Sequence, residues 1–252
     1  LHLLSRRQRQ MCIRDRSYIG SDVPAILKYT RDVYYIGNQE MARVRKGEIT
    51  FYNLDGDEIE KELKTVEWDA EAAEKAGYEH FMIKEIHEQP KAVSDTLNSV
   101  VKDGAIDLSE VGLSEEEIKE ISQIYIVACG SAYHVGVAAQ YVMEDLARIP
   151  VRVELASEFR YRNPILDPKG LVIIISQSGE TADSLAALRE SKKQGVKTLG
   201  IVNVIGSSIA READNVFYTL AGPEIAVATT KAYSTQPVSY THLRAHETLA
   251  NL

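Results

Sequence analysis

Five consecutive apolar residues, 171–175 (Leu-Val-Ile-Ile-Ile), run directly into a hydroxyl-rich corner, Ser176-Gln177-Ser178-Gly179-Glu180-Thr181. A strand with one wet face alternates apolar and polar residues, so an unbroken apolar run predicts a strand covered on both faces. Such strands belong to parallel sheets whose crossovers are helices. The flanking sequence agrees. Strand-like runs at 124–128, 151–155, 199–204 and 216–220 are interleaved with helical patterns at 133–147, 182–194 and 207–211, and Gly195 supplies a helix stop. The order β-α-β-β-α-β-α-β predicts an α/β fold, a doubly wound and mostly parallel sheet with helices on both faces.

The rest of the chain reads differently. Residues 17–70 are β-rich, with strand-like 33–36 and 49–52 and turn residues at Gly37-Asn38 and Asn53-Leu54-Asp55-Gly56. That is too little for a closed sheet and reads as the end of a larger domain. Residues 71–122 read as a charged helical connector and lead-in, broken by Pro90 and Gly104. Within it, Ser114-Glu115-Glu116-Glu117 has the capping-box pattern and opens a short helix ending near Ser122. The α/β domain proper is expected over 123–236. Residues 1–16 and 237–252 lack helical or strand periodicity and change composition abruptly, so both are expected to be non-native tails. A basic targeting peptide is the rival reading of the first, but its arginines do not segregate to one helical face. His242 and His246 have the i, i+4 spacing of metal ligands without a third partner, so no metal site is expected.

Charge and cysteine content narrow the function. The net charge is −8, and because residues 1–16 hold five arginines against one aspartate, the body is more acidic still. An acidic body argues against a nucleic-acid partner. It leaves room for a small phosphorylated substrate, because local dipoles can hold one phosphate. No run approaches the ~18 apolar residues that span a bilayer. Two cysteines, Cys12 and Cys129, provide neither a disulfide framework nor a four-ligand zinc site. The resulting expectation is a cytoplasmic protein without membrane contact or cofactor.

Ligands of doubly wound sheets bind at the carboxyl ends of strands. Two corners there carry unusual residues: Cys129-Gly130-Ser131-Ala132 and Ser176 to Thr181. Three hydroxyls, a carboxamide and a glycine at a helix start predict an anion cradle, because helix N-termini present unpaired N–H groups and positive dipole ends. Gly179 is expected to let the chain fold closely around the anion. An ordinary Ser-rich helix cap is the plainer alternative, and the density of hydroxyls argues against it. Neither a P-loop nor a G-x-G-x-x-G fingerprint occurs. Cys129 reads as a small buried residue rather than a nucleophile, since no activating base is assigned to it. His80 and His87 read as surface or packing residues, and Lys231 as a structural or helix-surface residue rather than a Schiff-base lysine.

The segment Ser176-Gln177-Ser178-Gly179-Glu180-Thr181-Ala182-Asp183 resembles the signature of sugar isomerase (SIS) domains, specifically those of the glutamine:fructose-6-phosphate aminotransferase (glucosamine-6-phosphate synthase) family. Four more segments agree in order and spacing: Lys84-Glu85-Ile86-His87-Glu88-Gln89-Pro90, Ala128-Cys129-Gly130-Ser131, the nine residues from Glu154 to Arg162, and the nine from Glu224 to Ala232. The resemblance covers residues 17–236. It implies an Ntn-type glutaminase domain, of which 17–70 would be the closing strands, followed by two SIS domains, of which 123–236 would be the first. It implies that Ser176, Gln177, Ser178 and Thr181 hold the phosphate of fructose 6-phosphate, with Ser131 beside them and Val227 and Thr229 against the sugar. Many members carry a phosphate-contacting Ser where Ala132 stands, so that bond is missing here. By the same resemblance the glutaminase cysteine lies upstream of these residues, and the isomerising Glu, His and Schiff-base Lys lie beyond Gln236. The expectation is a fragment that binds fructose 6-phosphate or glucosamine 6-phosphate, holds no catalytic residue and is inactive alone. Glutamine would be handled by the missing glutaminase domain, and the full-length enzyme would be a homodimer. A non-catalytic SIS sensor of sugar phosphates is the alternative.

Overall fold

The computed structural model describes residues 3–6, 17–20, 26, 29–37, 39–45, 47–66 and 75–239. The chain divides into two compact units, Leu1–Gly77 and Tyr78–Leu252. The divide falls inside the segment read as connector.

The first unit holds two antiparallel sheets. Strands β1 (Leu3–Arg6), β2 (Ser17–Gly20), β3 (Asp32–Tyr35) and, later in the chain, β7 (Lys64–Thr65) form one, in the order β2-β1-β3-β7. Strands β4 (Met41–Arg45), β5 (Glu48–Tyr52) and β6 (Glu58–Ile59) form the other. Of these strands the sequence reading names β3 and β5, and β1 and β4 show why others are missed. Residues 3–6 pair on both sides, with β2 and with β3, although no periodicity marks them. Backbone pairing to two open edges needs no side-chain pattern. β4 also escaped notice; its alternation of half-buried and exposed residues is carried by arginines as well as apolar residues. Asn38 of the expected first turn lies outside the described residues, as do His242 and His246.

The second unit opens with helix α1 (Phe81–Asn98), which contains Pro90. The sequence reading had Pro90 breaking this helix. It does not, because the bond that Pro90 cannot donate to the Ile86 carbonyl is replaced: Gln89 Nε2 donates to that oxygen at 3.2 Å. A hairpin of β8 (Val101–Lys102) and β9 (Ala105–Ile106) turns through Gly104, and a 3-10 turn over Ser109–Val111 follows. Helix α2 (Glu115–Glu120) begins with the expected capping box, Ser114 Oγ accepting from the Glu117 N–H while the Glu117 carboxylate accepts from the Ser114 N–H.

The core sheet then builds from β10 (Gln123–Ala128), helix α3 (Gly130–Ala147), β11 (Val151–Leu155), helix α4 (Ala156–Tyr161), β12 (Gly170–Ser176), helix α5 (Ala182–Lys193), β13 (Lys197–Val202), helix α6 (Ser208–Glu212) and β14 (Asn215–Tyr218). A last helix, α7, runs over 231–239 and so crosses the Gln236 boundary expected from sequence. All five strands are parallel, in the order β11-β10-β12-β13-β14. Alternate residues of the central strands supply two cores. Ile124, Ile126, Leu171, Ile173 and Ile175 pack with α3 on one face. Tyr125, Val127, Val172 and Ile174 pack with α4, α5 and α6 on the other. The unbroken apolar run of β12 is therefore the signature of a strand shared by two cores. Helix α4 was absent from the sequence reading, which passed directly from 151–155 to 171–175. Its six residues have no capping side chain, and it is held by the full burial of Ala156 and Phe159.

Candidate functional site

The strand order reverses between β10 and β12. The chain goes from β10 outward to β11, then returns to place β12 on the opposite side of β10. Ala128 pairs with Ile175 at the carboxyl ends of these neighbours, so the Cys129–Ala132 and Ser176–Thr181 corners open side by side at a topological switch point. A pocket of about 560 Å³ lies there, inside the range of roughly 300–1,000 Å³ usual for small-molecule sites. All seven sequence-predicted residues line it: Ser131, Ser176, Gln177, Ser178, Thr181, Val227 and Thr229.

The β12 corner is braced from within. Ser176, nearly fully buried, shares a hydrogen bond with Thr181 Oγ1 at 3.0 Å and accepts from the Gly179 N–H at 3.1 Å. Ser178 Oγ accepts from the Glu180 N–H at 3.2 Å. The corner is also tied to the next strand: the Asn203 N–H donates to the Gln177 carbonyl and the Ile209 N–H to the Gly179 carbonyl. Glu180 turns away from the pocket, its Oε1 accepting from the Ser208 N–H at 2.8 Å. That keeps its negative charge out of a pocket whose helix N-termini suit an anion.

Gly179 is required for a reason other than the one expected. Its φ is +65°, and a Cβ there would run into the side chain of Ser207. The glycine serves the close approach of the α6 lead-in and the left-handed backbone, with the pocket on the far side of the corner.

Two helices begin at the pocket with no side-chain cap. Cys129 precedes α3 and Thr181 precedes α5, and neither side chain accepts from its helix's first turn. The leading N–H groups of a 12-residue and an 18-residue helix are thus left for a ligand, with the positive ends of both dipoles. Among the described residues no lysine or arginine lines the pocket, and Glu224 is the only charged one that does. Its carboxylate is occupied, accepting from Thr229 Oγ1 at 2.9 Å and from the N–H groups of Thr230 and Ala232 at 2.8 and 3.2 Å. Glu224 thereby caps α7 and orients the Thr229 hydroxyl. Val227, fully exposed, stands at the rim.

Several lining residues went unnoticed in the sequence. Glu224 and Gln236 line the pocket, and no sequence pattern singles out either. A carboxylate six to eight residues ahead of the amides it caps leaves no short-range pattern. Ala132 also lines the pocket and offers only a methyl group.

The other flagged residues sort clearly. Cys129 Sγ receives a hydrogen bond from Ser184 Oγ at 3.8 Å and packs against the second core. His134 stacks edge-on against Tyr133. His80 is exposed near Glu79, and His87 stacks on Tyr78 with ring centroids 5.4 Å apart. Lys231 is not on the helix surface: it is 2% exposed and ion-paired to Glu88 at 2.7 Å, because α1 covers that end of α7.

Comparison with known proteins agrees with this geometry. A family model described as the SIS domain matches residues 117–244. A glutamine--fructose-6-phosphate aminotransferase (isomerizing) of Clostridium acetobutylicum is 56% identical over 226 residues, covering 89% of this chain and 37% of the relative. That of Methanosarcina mazei is 48% identical over 225 residues, covering 88% of this chain and 36% of the relative. The chain thus spans little more than a third of the length of the curated relatives it matches. The solved C-terminal domain of glucosamine-fructose-6-phosphate aminotransferase from Francisella tularensis aligns with a TM-score of 0.68 at 46% identity, over 71% of this chain and 51% of that one. Tagatose-6-phosphate ketose/aldose isomerase from Escherichia coli aligns at 0.57 with 18% identity over 66% of this chain and 47% of that one, a likeness of fold. With its parallel five-stranded sheet, its switch-point pocket and a family match over more than half its length, the chain belongs to the SIS domain family.

Proposed function

We propose that the pocket binds the phosphate of fructose 6-phosphate, and that the chain supplies one sugar-phosphate module of a glutamine:fructose-6-phosphate aminotransferase, which makes glucosamine 6-phosphate and glutamate. The observation that carries this reading is the convergence of two uncapped helix N-termini and the hydroxyls of Ser131, Ser178 and Thr181 on one pocket. Backbone N–H groups and hydroxyls aimed at one point suit a phosphate without any cationic side chain. Identity of 56% to a curated aminotransferase supports the choice of sugar. Val227 and Thr229 form the sugar-facing wall in this reading, and Ala132 leaves the phosphate one hydroxyl short. In this reading residues 17–70 belong to the glutaminase side of the enzyme, glutamine is the partner of that side, and the whole enzyme is a homodimer.

The test is a calorimetric titration of the chain with fructose 6-phosphate, with Ser131→Ala/Ser178→Ala as control. Ser131 is exposed and Ser178 holds only one neighbouring amide, so this control leaves the corner's bracing by Ser176 intact. Hydrogen bonds to a charged group contribute about 1.5–3 kcal/mol each. The control should therefore bind at least about tenfold more weakly, tenfold being 1.4 kcal/mol. The same sample given glutamine should form no glucosamine 6-phosphate. Absence of binding by the parent, or equal binding by the control, would overturn the reading.

A further inference from the structure

The wall that carries Val227 and Thr229 is a loop without helix or strand from 219 to 230. Its shape has to be set by what holds it. Asn203 holds the base, donating to the Gly222 carbonyl at 2.7 Å and accepting from the Ala221 N–H at 2.8 Å. The middle is held from another direction. Glu85 of α1 is 2% exposed, and its Oε1 accepts from the Ile225 N–H at 2.6 Å and from the Ala226 N–H at 3.0 Å. Two successive peptide planes, ending one residue before Val227, are therefore oriented by a single buried carboxylate oxygen. Lys84 and Lys231, 4% and 2% exposed, both pair with Glu88, at 3.4 and 2.7 Å. Gln89 Oε1 accepts from Ser234 Oγ at 2.5 Å, and the Thr96 hydroxyl donates to the Thr219 carbonyl.

One face of α1 thus grips the loop at its start, its middle and the helix that follows. Burying two lysines and Glu85, with Glu88 half-buried between the lysines, is costly for stability alone, and apolar residues of similar size often serve as well or better. What directional polar groups add is register and orientation, and the atoms they orient border the pocket. The Ser176–Thr181 corner hydrogen-bonds to none of them. It is braced by Ser176, Ser178, the Asn203 N–H and α6.

We infer that Glu85 is a positioning residue for the sugar-facing wall, which makes α1, although it precedes the family match at 117–244, a working part of the binding site. The inference rests on the reading of the pocket as a fructose 6-phosphate site. It specifies that Glu85 acts on the sugar half of the ligand and leaves the phosphate half alone.

The discriminating experiment titrates the full 252-residue chain with fructose 6-phosphate and, separately, with inorganic phosphate, for the parent, Glu85→Ala and Glu85→Gln. Glu85→Ala should weaken fructose 6-phosphate binding by about tenfold or more while phosphate changes by less than about twofold. Glu85→Gln keeps an acceptor oxygen for both amides and should stay within about threefold of the parent for both ligands. Should Glu85→Ala fail to fold, Glu85→Met fills the space without an acceptor and the same ratio decides. A parent that binds fructose 6-phosphate together with a Glu85→Ala variant that binds it equally, or that loses both ligands in parallel, overturns the inference alone. A parent that binds no fructose 6-phosphate overturns it together with the proposed function.

Discussion

At the scale of single residues, the corner after β12 depends on the absence of one carbon atom. Gly179 sits at φ +65° with the Ser207 side chain where a Cβ would be. Ser207 is itself only 3% exposed, so its side chain has little room to retreat. Gly179→Ala should destabilise the fold by about 1–3 kcal/mol from the left-handed backbone alone, and displacing Ser207 adds to this. Chemical denaturation, read as a lower midpoint at unchanged slope, checks it. An unchanged midpoint would mean that the corner can reshape without cost. The glycine was visible in the sequence, but its reason was not. Ser207 approaches from the far side of β13, and no local pattern connects the two positions.

Among the elements, helix α2 shows how far local signals reach. Its capping box was legible because all its parts lie within four residues, Ser114 to Glu117. Its tie to the sheet was not legible, because the second partner is Lys197 at the start of β13. The Lys197 ammonium, with the Ser114 backbone and hydroxyl donors, lowers the Glu117 carboxyl from an ordinary 4.5 to about 2. A carboxyl depressed in the folded state stabilises fully above its unfolded pKa, and that contribution fades as pH falls toward the folded value. Glu117→Gln should therefore melt lower than the parent above pH 4.5, and the gap should close between pH 4.5 and 2. A gap that stays constant on acidification would show that the ion pair contributes nothing. Helices α1 and α4 mark the opposite limit. Pro90 signals a break that Gln89 repairs, and α4 exists through the burial of Phe159 rather than through any cap.

For the whole molecule, the sheet and the hydroxyl-rich corner were readable because their signals are contiguous: an apolar run, then hydroxyls, then a helix. The loop that carries Val227 and Thr229 was only partly readable. Val227 and Thr229 came by resemblance, while the groups that hold their loop, Glu85 and Glu224, act through folds of the chain that a linear pattern does not record. The first unit was legible only at its two most β-branched and aromatic strands, since a two- to five-residue strand gives a periodic pattern too few positions to stand out.

The absence of lysine and arginine among the described residues that line the pocket has a consequence in solution. A phosphate bound by cations loses affinity as ionic strength rises, because salt competes for the same long-range field. In the proposed phosphate site attraction comes from amide dipoles that act only at contact, while the protein's net charge of −8 repels the incoming dianion from a distance. Added salt should weaken that repulsion and leave the contacts untouched. Affinity for fructose 6-phosphate should hold steady or tighten slightly from about 20 to 200 mM sodium chloride, as the Debye length shortens to below ~10 Å. A marked loss over that range would reveal a hidden cation at the site. A pocket of this kind selects its ligand by shape at close range, largely indifferent to the electrolyte around it.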